Sequence, residues 1–333
     1  HQRRGVEWMV AAEDDGHPPS RTCESGLWTY PDPDVRGGIL ADEPGLGKTL
    51  QTVATMLERP GKKTLVVVPN ALLVPWHNTL TSFFGADTVL RYHRSNWRFD
   101  WCDPNKFDVV LTTFGTFKSK QEFLRGYCVG WKRLVVDEAQ ALANKKTALS
   151  NIVRTFPVRT RWMLTGTPIQ NKLNDLKTLL SCVGVNVTSS FSKYPTRTQI
   201  QAARLLCTQF VLRRTKIHVS KKEPRVCLPT LIHKTYRLSL HTTHQQIAYA
   251  AVENNPATLP MTKMLRLQQI TAHPKHLSGK EEVSAKRLAL RRVVHRCNVN
   301  DAILIFGQFL DEIGAAAVAL RHHDPLVITG RTR

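Results

Sequence analysis

The stretch ADEPGLGKT, residues 41–49, decides the fold class of this 333-residue chain. Gly47, Lys48 and Thr49 complete the phosphate-binding pattern G-x-x-x-x-G-K-[ST]. Asp42, however, stands where that pattern has its first glycine, and Pro44 removes one backbone N–H from the loop. A glycine-rich turn that enters a helix presents N–H groups and a positive dipole end to phosphate. We therefore expect a nucleotide-binding loop with two departures from the general pattern.

The loop and a second, acidic motif divide the chemistry of nucleotide hydrolysis between them. Gly45 and Gly47 let the backbone approach phosphate, Lys48 neutralises the β- and γ-phosphates, and Thr49 ligates Mg²⁺. The motif LVVDEA, residues 134–139, places two carboxylates directly after an apolar run. Asp137 can hold Mg²⁺ through water, and Glu138 can act as the base for the attacking water. Either motif alone has an ordinary explanation, a chance turn or a solvated acidic pair; together they predict hydrolysis of a nucleotide with Mg²⁺.

Short β-branched runs that end in polar residues recur along the chain, and helical patterns such as residues 50–58 lie between them. The runs are residues 38–40, 64–69, 108–114, 133–139, 161–167 and 302–306. Continuous apolar runs of this length suit strands that are buried on both faces of a parallel sheet. The pattern therefore predicts an α/β fold. Because ligands of such sheets bind beyond the carboxyl ends of the strands, we expect the segments after these runs to converge.

One of those segments, LTGTPIQN at residues 164–171, has no general explanation as part of a core. Thr165, Gly166 and Thr167 follow a buried strand with a dense set of hydrogen-bonding groups. Such a segment can sense the γ-phosphate and relay its state.

The charge of the chain indicates a polyanionic partner. Lys and Arg number 47 against 26 Asp and Glu, a net charge of +21. Nucleic acid is the usual partner of so basic a chain, although a basic protein can also simply be soluble. In the segment RRTKIHVSKK, residues 213–222, we expect Arg213, Arg214 and Lys216 to contact DNA phosphates, although a solvated charged face is at least as common. No aromatic ladder accompanies these residues, which favours duplex DNA over single strands.

Several classes of protein are disfavoured. The seven cysteines are scattered and form no C-x-x-C, so neither a zinc site nor a disulfide framework is predicted. No apolar run reaches the ~18 residues of a membrane span, and no membrane partner is expected.

The motifs resemble those of the Swi/Snf-related, helicase-like ATPases of superfamily two. The resemblance rests on GGILADEPGLGKTLQT (37–52), LVVDEAQAL (134–142) and RWMLTGTPIQNKLNDLKTLL (161–180), and more weakly on HQRRGVEWM (1–9), FVLRRT (210–215) and LRLQQITAHP (265–274). Asp42 is the residue that this family has, whereas Pro44 replaces its Met and Gln140 replaces its His. The missing N–H of Pro44 should weaken phosphate binding by about 1 kcal/mol.

The resemblance also implies roles for individual residues. Asp42, Glu43 and Leu46 join the glycines as nucleotide-binding residues, and Gln2 reads adenine. Gln140 joins Thr165, Gly166 and Thr167 in coupling hydrolysis to movement.

The resemblance further implies two RecA-like lobes. We assign residues 1–185 to the first ATP-binding lobe with a surface insertion at 13–35, residues 186–298 to a helical linker, and residues 299–333 to the start of a second lobe. The insertion resembles the subgroup of the helicase-like transcription factor, whose RING insert is not expected here without a C-x-x-C. Because the chain starts at His1 and stops early in the second lobe, we expect a piece of a longer protein that alone hydrolyses almost no ATP.

The function implied is a DNA-dependent ATPase that moves on duplex DNA and remodels or displaces bound protein, chromatin included. The nucleus is the expected compartment, although a large DNA virus could supply a similar protein to the cytoplasm or virion. Two alternatives stay open. Pro44 and Gln140 are compatible with a degenerate, ATP-sensing DNA-binding scaffold. A nucleotidase or kinase unrelated to DNA also has such a loop, but residues 164–171 and the positive charge oppose it.

Overall fold

The computed structural model describes residues 1–15, 36–93, 106–126, 130–143, 147–187, 191–192, 194–223, 229–240, 243–256, 259–272, 284–298 and 300–330. The chain forms two compact units, His1–Pro229 and Thr230–Arg333. The first unit extends past the predicted boundary at residue 185 because residues 211–212 join its sheet. Of the predicted insertion at 13–35, Glu13 and Asp14 belong to the first helix, and residues 16–35 lie outside the described residues.

Among the described residues, the first unit contains one seven-stranded sheet in the order β3-β4-β2-β5-β6-β1-β7. The strands are β1 Arg36–Leu40, β2 Thr64–Val68, β3 Val89–Tyr92, β4 Val109–Thr113, β5 Arg133–Val136, β6 Thr160–Leu164 and β7 Val211–Leu212. Every strand pair is parallel. The predicted α/β fold and the five runs assigned to this unit are confirmed. The sequence did not predict β3 and β7, which are the two edge strands.

Helices cover both faces of this sheet. They are α1 Gln2–Asp14, α2 Lys48–Glu58, α3 Leu73–Phe84, α4 Phe114–Ser119, α5 Gln121–Gly126, α6 Ala148–Thr155, α7 Leu173–Val183, α8 Arg197–Phe210 and α9 Lys216–Ser220. Successive strand residues alternate between two cores, so that Val67 packs on the side of α7 and Val66 on the side of α1, α2 and α3. Burial on both faces is the reason that the strands read as continuous apolar runs.

A buried ion pair anchors α1 to the sheet. The fully buried carboxylate of Glu13 accepts hydrogen bonds from Arg133 at 2.6 and 2.7 Å, from Lys62 at 2.8 Å and from the indole N–H of Trp162 at 2.9 Å. Burial acts to raise the pKa of Glu13, but Arg133, Lys62 and Trp162 outweigh it and hold this pKa below its usual value. The anchor fixes the helix whose first residue is Gln2.

The second unit is helical in its described part. Its helices are α10 Thr243–Glu253, α11 Pro260–Ala272, α12 Ala285–His295 and α13 Leu310–Ala319. The helical patterns at 265–270 and 286–294 are confirmed by α11 and α12. The predicted strand at 302–306 is wrong, because residues 301–307 have no regular secondary structure and Phe306 is 87% exposed. A strand requires a hydrogen-bonded neighbour, and the described residues of this unit include none.

No helix in the described ranges combines the length and the apolar character that a membrane crossing requires.

Candidate active site

The carboxyl ends of β1, β5, β6 and β7 lie side by side at one edge of the sheet. Leu40, the last residue of β1, pairs with Leu164 of β6 and Leu212 of β7. The ladders continue past the strands, since the N–H of Thr165 donates to the Leu40 carbonyl at 3.1 Å and the N–H of Ala41 donates to the Leu212 carbonyl at 2.7 Å. The segments that follow these strands therefore start as neighbours, as the sequence predicts.

The phosphate loop follows β1 and ends at the N-terminus of α2. Gly45 and Gly47 have φ angles of +89° and +80°, in the left-handed region that favours glycine. A Cβ on Gly47 would stand 2.2 Å from the amide nitrogen of Gln2, so Gln2 lies against the loop and a side chain at position 47 would collide with it. The ammonium of Lys48 donates to the backbone carbonyl of Asp42 at 2.9 Å. The loop thus presents a helix N-terminus and a lysine to an anion.

The side chain of Asp42 is buried beneath the loop. Its Oδ1 accepts hydrogen bonds from the backbone N–H and the Nε of Arg214, both at 3.0 Å. Its Oδ2 accepts from a second guanidinium nitrogen of Arg214 and from the amide of Gln51 at 3.1 Å. The Gln51 amide also donates to the carbonyl of Leu46 at 3.1 Å. Asp42 and Arg214 therefore hold the phosphate loop to the segment after β7, a structural role that the sequence analysis predicted for neither residue.

The rest of the basic segment 213–216 lies along the same loop. The N–H of Glu43 donates to the Arg214 carbonyl at 3.0 Å, and the carboxylate of Glu43 accepts from the N–H of Lys216 at 2.8 Å. Arg213 is exposed. Of the three basic residues predicted to contact DNA, Arg213 faces solvent, whereas Arg214 and Lys216 lie at the phosphate loop.

Asp137 follows β5 as a nearly buried carboxylate. Its Oδ2 accepts the indole N–H of Trp76, from α3, at 2.7 Å, and its Oδ1 accepts the N–H of Glu138 at 2.8 Å. Burial and, to a smaller extent, the negative charge of Glu138 raise the pKa of Asp137 and together outweigh the opposing effects of those two hydrogen bonds and of the Lys48 charge. The role of Trp76 was not predicted from the sequence. The one feature that could have indicated it is an indole N–H donor on the helix that follows β2.

Glu138 has a strained backbone and begins a hydrogen-bonded path. Its φ of +50° lies in the left-handed region, which costs a non-glycine residue about 1–3 kcal/mol and occurs often at functional sites. Its carboxylate accepts from the amide nitrogen of Gln140, and the amide oxygen of Gln140 accepts from the Thr165 hydroxyl at 2.7 Å. The Thr165 oxygen then accepts from the N–H of Thr167 at 3.1 Å. The path joins the residue after β5 to the segment after β6.

That segment is also tied to the phosphate loop and to α7. A Cβ on Gly166 would stand 3.0 Å from the ring of Pro44, so the proline of the loop packs over this glycine. Beyond it, the carboxylate of Asp175 accepts backbone N–H groups from Asn171 at 2.9 Å and from Gln170 and Lys172 at 3.2 Å. Asp175 thereby caps the N-terminus of α7 and orders the segment before it.

The residues present suit ATP and Mg²⁺. The glycines, Lys48 and the N-terminus of the 11-residue α2 form a cradle for phosphate. A buried carboxylate at Asp137 and the hydroxyl of Thr49, the second residue of α2, are the oxygen ligands that Mg²⁺ prefers.

Residues 1–299 match the SNF2-related domain family. This chain belongs to that family. An uncharacterized ATP-dependent helicase of Mycoplasma pneumoniae is 26% identical to it in an alignment of 337 positions, gaps included, that covers 94% of this chain and 30% of the relative. The human SWI/SNF-related matrix-associated actin-dependent regulator of chromatin subfamily A member 1 is 30% identical in an alignment of 246 positions, gaps included, that covers 67% of this chain and 21% of the relative. The chain thus spans less than a third of the length of these SNF2-related relatives.

A solved structure has the same fold. The Sulfolobus solfataricus SWI2/SNF2 ATPase core in complex with dsDNA is 26% identical, with a TM-score of 0.55, and the match covers 94% of this chain and 67% of that one. The predicted family resemblance and the RecA-like, parallel α/β fold class of the SNF2-related core are confirmed.

Proposed function

We propose that this chain is the ATPase core of a DNA-dependent motor that moves on duplex DNA and remodels or displaces the proteins bound there. The observation that carries this proposal is the hydrogen-bonded path from Glu138 through Gln140 to Thr165. A motor must pass the state of its nucleotide to another part of the protein. This path supports such coupling, because it starts at the candidate base and ends in the segment after β6.

Each loop residue has a proposed task in nucleotide binding. The backbone N–H groups of Gly45, Gly47 and Thr49 bind phosphate, and Lys48 neutralises its charge. Leu46 supports the loop, since it is buried and its N–H donates to the Glu43 carbonyl at 3.2 Å. Gln2, at the start of α1, reads adenine. Asp42 and Glu43 act by holding the loop to residues 214–216.

Hydrolysis is assigned to the residues after β5. Thr49 and Asp137 hold Mg²⁺, which when bound neutralises developing charge on the phosphates. Glu138 accepts the proton of the attacking water as the oxygen of that water bonds to the γ-phosphorus and ADP leaves. Gln140 orients the Glu138 carboxylate, and Trp76 orients that of Asp137.

Duplex DNA is the proposed partner. The net charge of +21 and the exposed Arg213 support it, as does the likeness to an SWI2/SNF2 ATPase core that was solved in complex with dsDNA. The human relative, a SWI/SNF-related regulator of chromatin by name, supports chromatin as the setting and the nucleus as the compartment. The Mycoplasma relative indicates that the family is not confined to nuclei.

The test is ATP hydrolysis with and without duplex DNA in the whole protein that carries this chain. We expect DNA to stimulate turnover, Lys48→Ala to abolish it, and the control Lys118→Ala, at an exposed position on α4, to retain it. DNA affinity should fall steeply as salt rises, since phosphate contacts release counterions. Binding of ATP and DNA without turnover in the wild type would favour the scaffold alternative.

A further inference from the structure

Lys216 begins α9 and places its side chain over the phosphate loop. Its Cε and its ammonium nitrogen both lie 3.5 Å from the point where a Cβ on Gly45 would stand. Gly45 is exposed and has no side chain, so this ammonium lies beside bare loop backbone. Sequence reasoning placed Lys216 in a DNA-binding segment and Lys48 as the one cation of the loop. The fold brings a second cation to that loop.

The main chain around Lys216 is held in place by the loop itself. Its N–H donates to the carboxylate of Glu43 at 2.8 Å, and the Glu43 N–H donates to the carbonyl of Arg214 at 3.0 Å. The Thr215 hydroxyl accepts the N–H of His218 at 3.2 Å and so caps α9. These bonds fix the Cα of Lys216 without use of its ammonium. A change of the side chain alone should therefore leave the anchor intact.

The charges around this ammonium leave it available to a ligand. In the described part of the chain no carboxylate forms an ion pair with Lys216: Asp42 pairs with Arg214, and Glu43 accepts the backbone N–H. Lys216 is also half-buried, which restricts it more than an exposed lysine. A half-buried cation beside a phosphate-binding loop is suited to an anion that the loop itself holds.

We infer that Lys216 is a nucleotide-binding residue, whose ammonium contacts the phosphate chain of bound ATP beside Gly45, in addition to Lys48 at the start of α2. The inference rests on the proposed binding of ATP by residues 41–49. It also gives the three basic residues of segment 213–216 different roles. Arg213 is free for DNA, Arg214 shapes the loop, and Lys216 reads the nucleotide. Removal of Lys216 should thus weaken nucleotide binding and leave DNA binding nearly unchanged.

The experiment is a titration of the chain with a fluorescent ATP analogue and, separately, with duplex DNA. We expect Lys216→Gln to weaken binding of the analogue by about tenfold, the effect of one charge-assisted hydrogen bond, and Lys216→Arg to restore most of it. Lys222→Gln, at an exposed position just after α9, is the matched control and should bind the analogue as the wild type does. Thermal unfolding of the Gln variant should match that of the wild type.

If Lys216→Gln binds the analogue as the wild type does while Lys48→Ala does not bind it, this inference is wrong and the proposed ATP site still holds. Lys216→Gln could instead lower DNA affinity, reduce the salt slope by about one and leave analogue binding unchanged. That result would show that Lys216 contacts DNA and not the nucleotide. Failure of the wild type to bind the analogue overturns both the proposed function and this inference.

Discussion

The guanidinium of Arg214 lies against the carboxylate of Asp42, the residue that stands where the general phosphate-loop pattern has a glycine. Two hydrogen bonds of 3.0 Å join Arg214 to Asp42 Oδ1. Position 42 therefore needs a carboxylate because the loop is fastened there to the segment after β7. Asp42, which departs from the general pattern, is therefore the residue that attaches the phosphate loop to the segment after β7.

Arg214→Gln should lower the free energy of unfolding by about 3–5 kcal/mol, because it leaves the fully buried charge of Asp42 without its partner. Urea denaturation measures this change. Arg213→Gln is the control: its side chain is exposed, and its effect should stay within about 0.5 kcal/mol. Equal effects of the two variants would show that the Asp42 pairing does not support the loop.

Gln140→Leu should retain ATP binding and lower DNA-stimulated hydrolysis by about tenfold, because leucine fills similar space but cannot bridge Glu138 and Thr165. Gln140→His, with one ring nitrogen to donate and another to accept, should keep most of the activity. Steady-state turnover and analogue affinity, measured together, separate the two effects. Wild-type turnover in the Leu variant would remove the path from the mechanism.

Pro44→Met should tighten ATP binding modestly, by less than about tenfold, because it restores one backbone N–H at the loop. The opposing effect is the loss of the proline ring that packs over Gly166. Pro44→Ala restores the N–H with the least bulk and is the matched variant. Calorimetric titration with ATP decides between them: weaker binding in both variants would mean that packing on Gly166 matters more than the N–H.

Asp137→Asn removes the buried charge but keeps only one of the two oxygens that accept N–H groups from Trp76 and Glu138, so in the absence of ligand its melting temperature relative to the wild type should increase as pH rises. Burial raises the pKa of Asp137 in the fold, so its ionised form costs stability above that pKa. The cost is absent below the unfolded pKa of about 3.9, so the variant should compare least favourably with the wild type there. Melting curves across pH test this, with the exposed Asp87→Asn as control. A difference between variant and wild type that does not change with pH would contradict it.

Glu13→Gln should have the opposite pH dependence. The pKa of Glu13 is lowered in the fold, so its stabilising contribution is present above the unfolded pKa of about 4.3 and is lost as pH falls through the folded value. At neutral pH the variant leaves buried Arg133 unpaired and should lose about 3–5 kcal/mol. The exposed Glu7→Gln serves as control in the same chemical denaturation series. A pH-independent difference would show that Glu13 contributes by packing alone.

The sequence by itself determined the local elements of the first unit. Runs such as residues 64–69 are continuously apolar, with no polar residues alternating along them. Neither face of such a strand is suited to water, so the sequence predicts burial on both faces. Gly45, Gly47 and Lys48 likewise specified the turn into α2, since positive φ angles and a helix start depend on neighbours in the chain. The carboxylates of Asp137 and Glu138 followed from their place after a buried strand.

Tertiary structure alone decided which polar groups meet. Asp42 with Arg214, Asp137 with Trp76, and Gln140 with Thr165 come from distant parts of the chain. The sheet order β2-β5-β6-β1-β7 brings them together, and that order is not the order of the sequence. The run 302–306 failed as a strand for the related reason that strand propensity acts only where a neighbour supplies hydrogen bonds. The apolar pattern of a segment is carried by that segment's own residues. The hydrogen-bond partner of a polar group depends instead on which strand lies next to it in space.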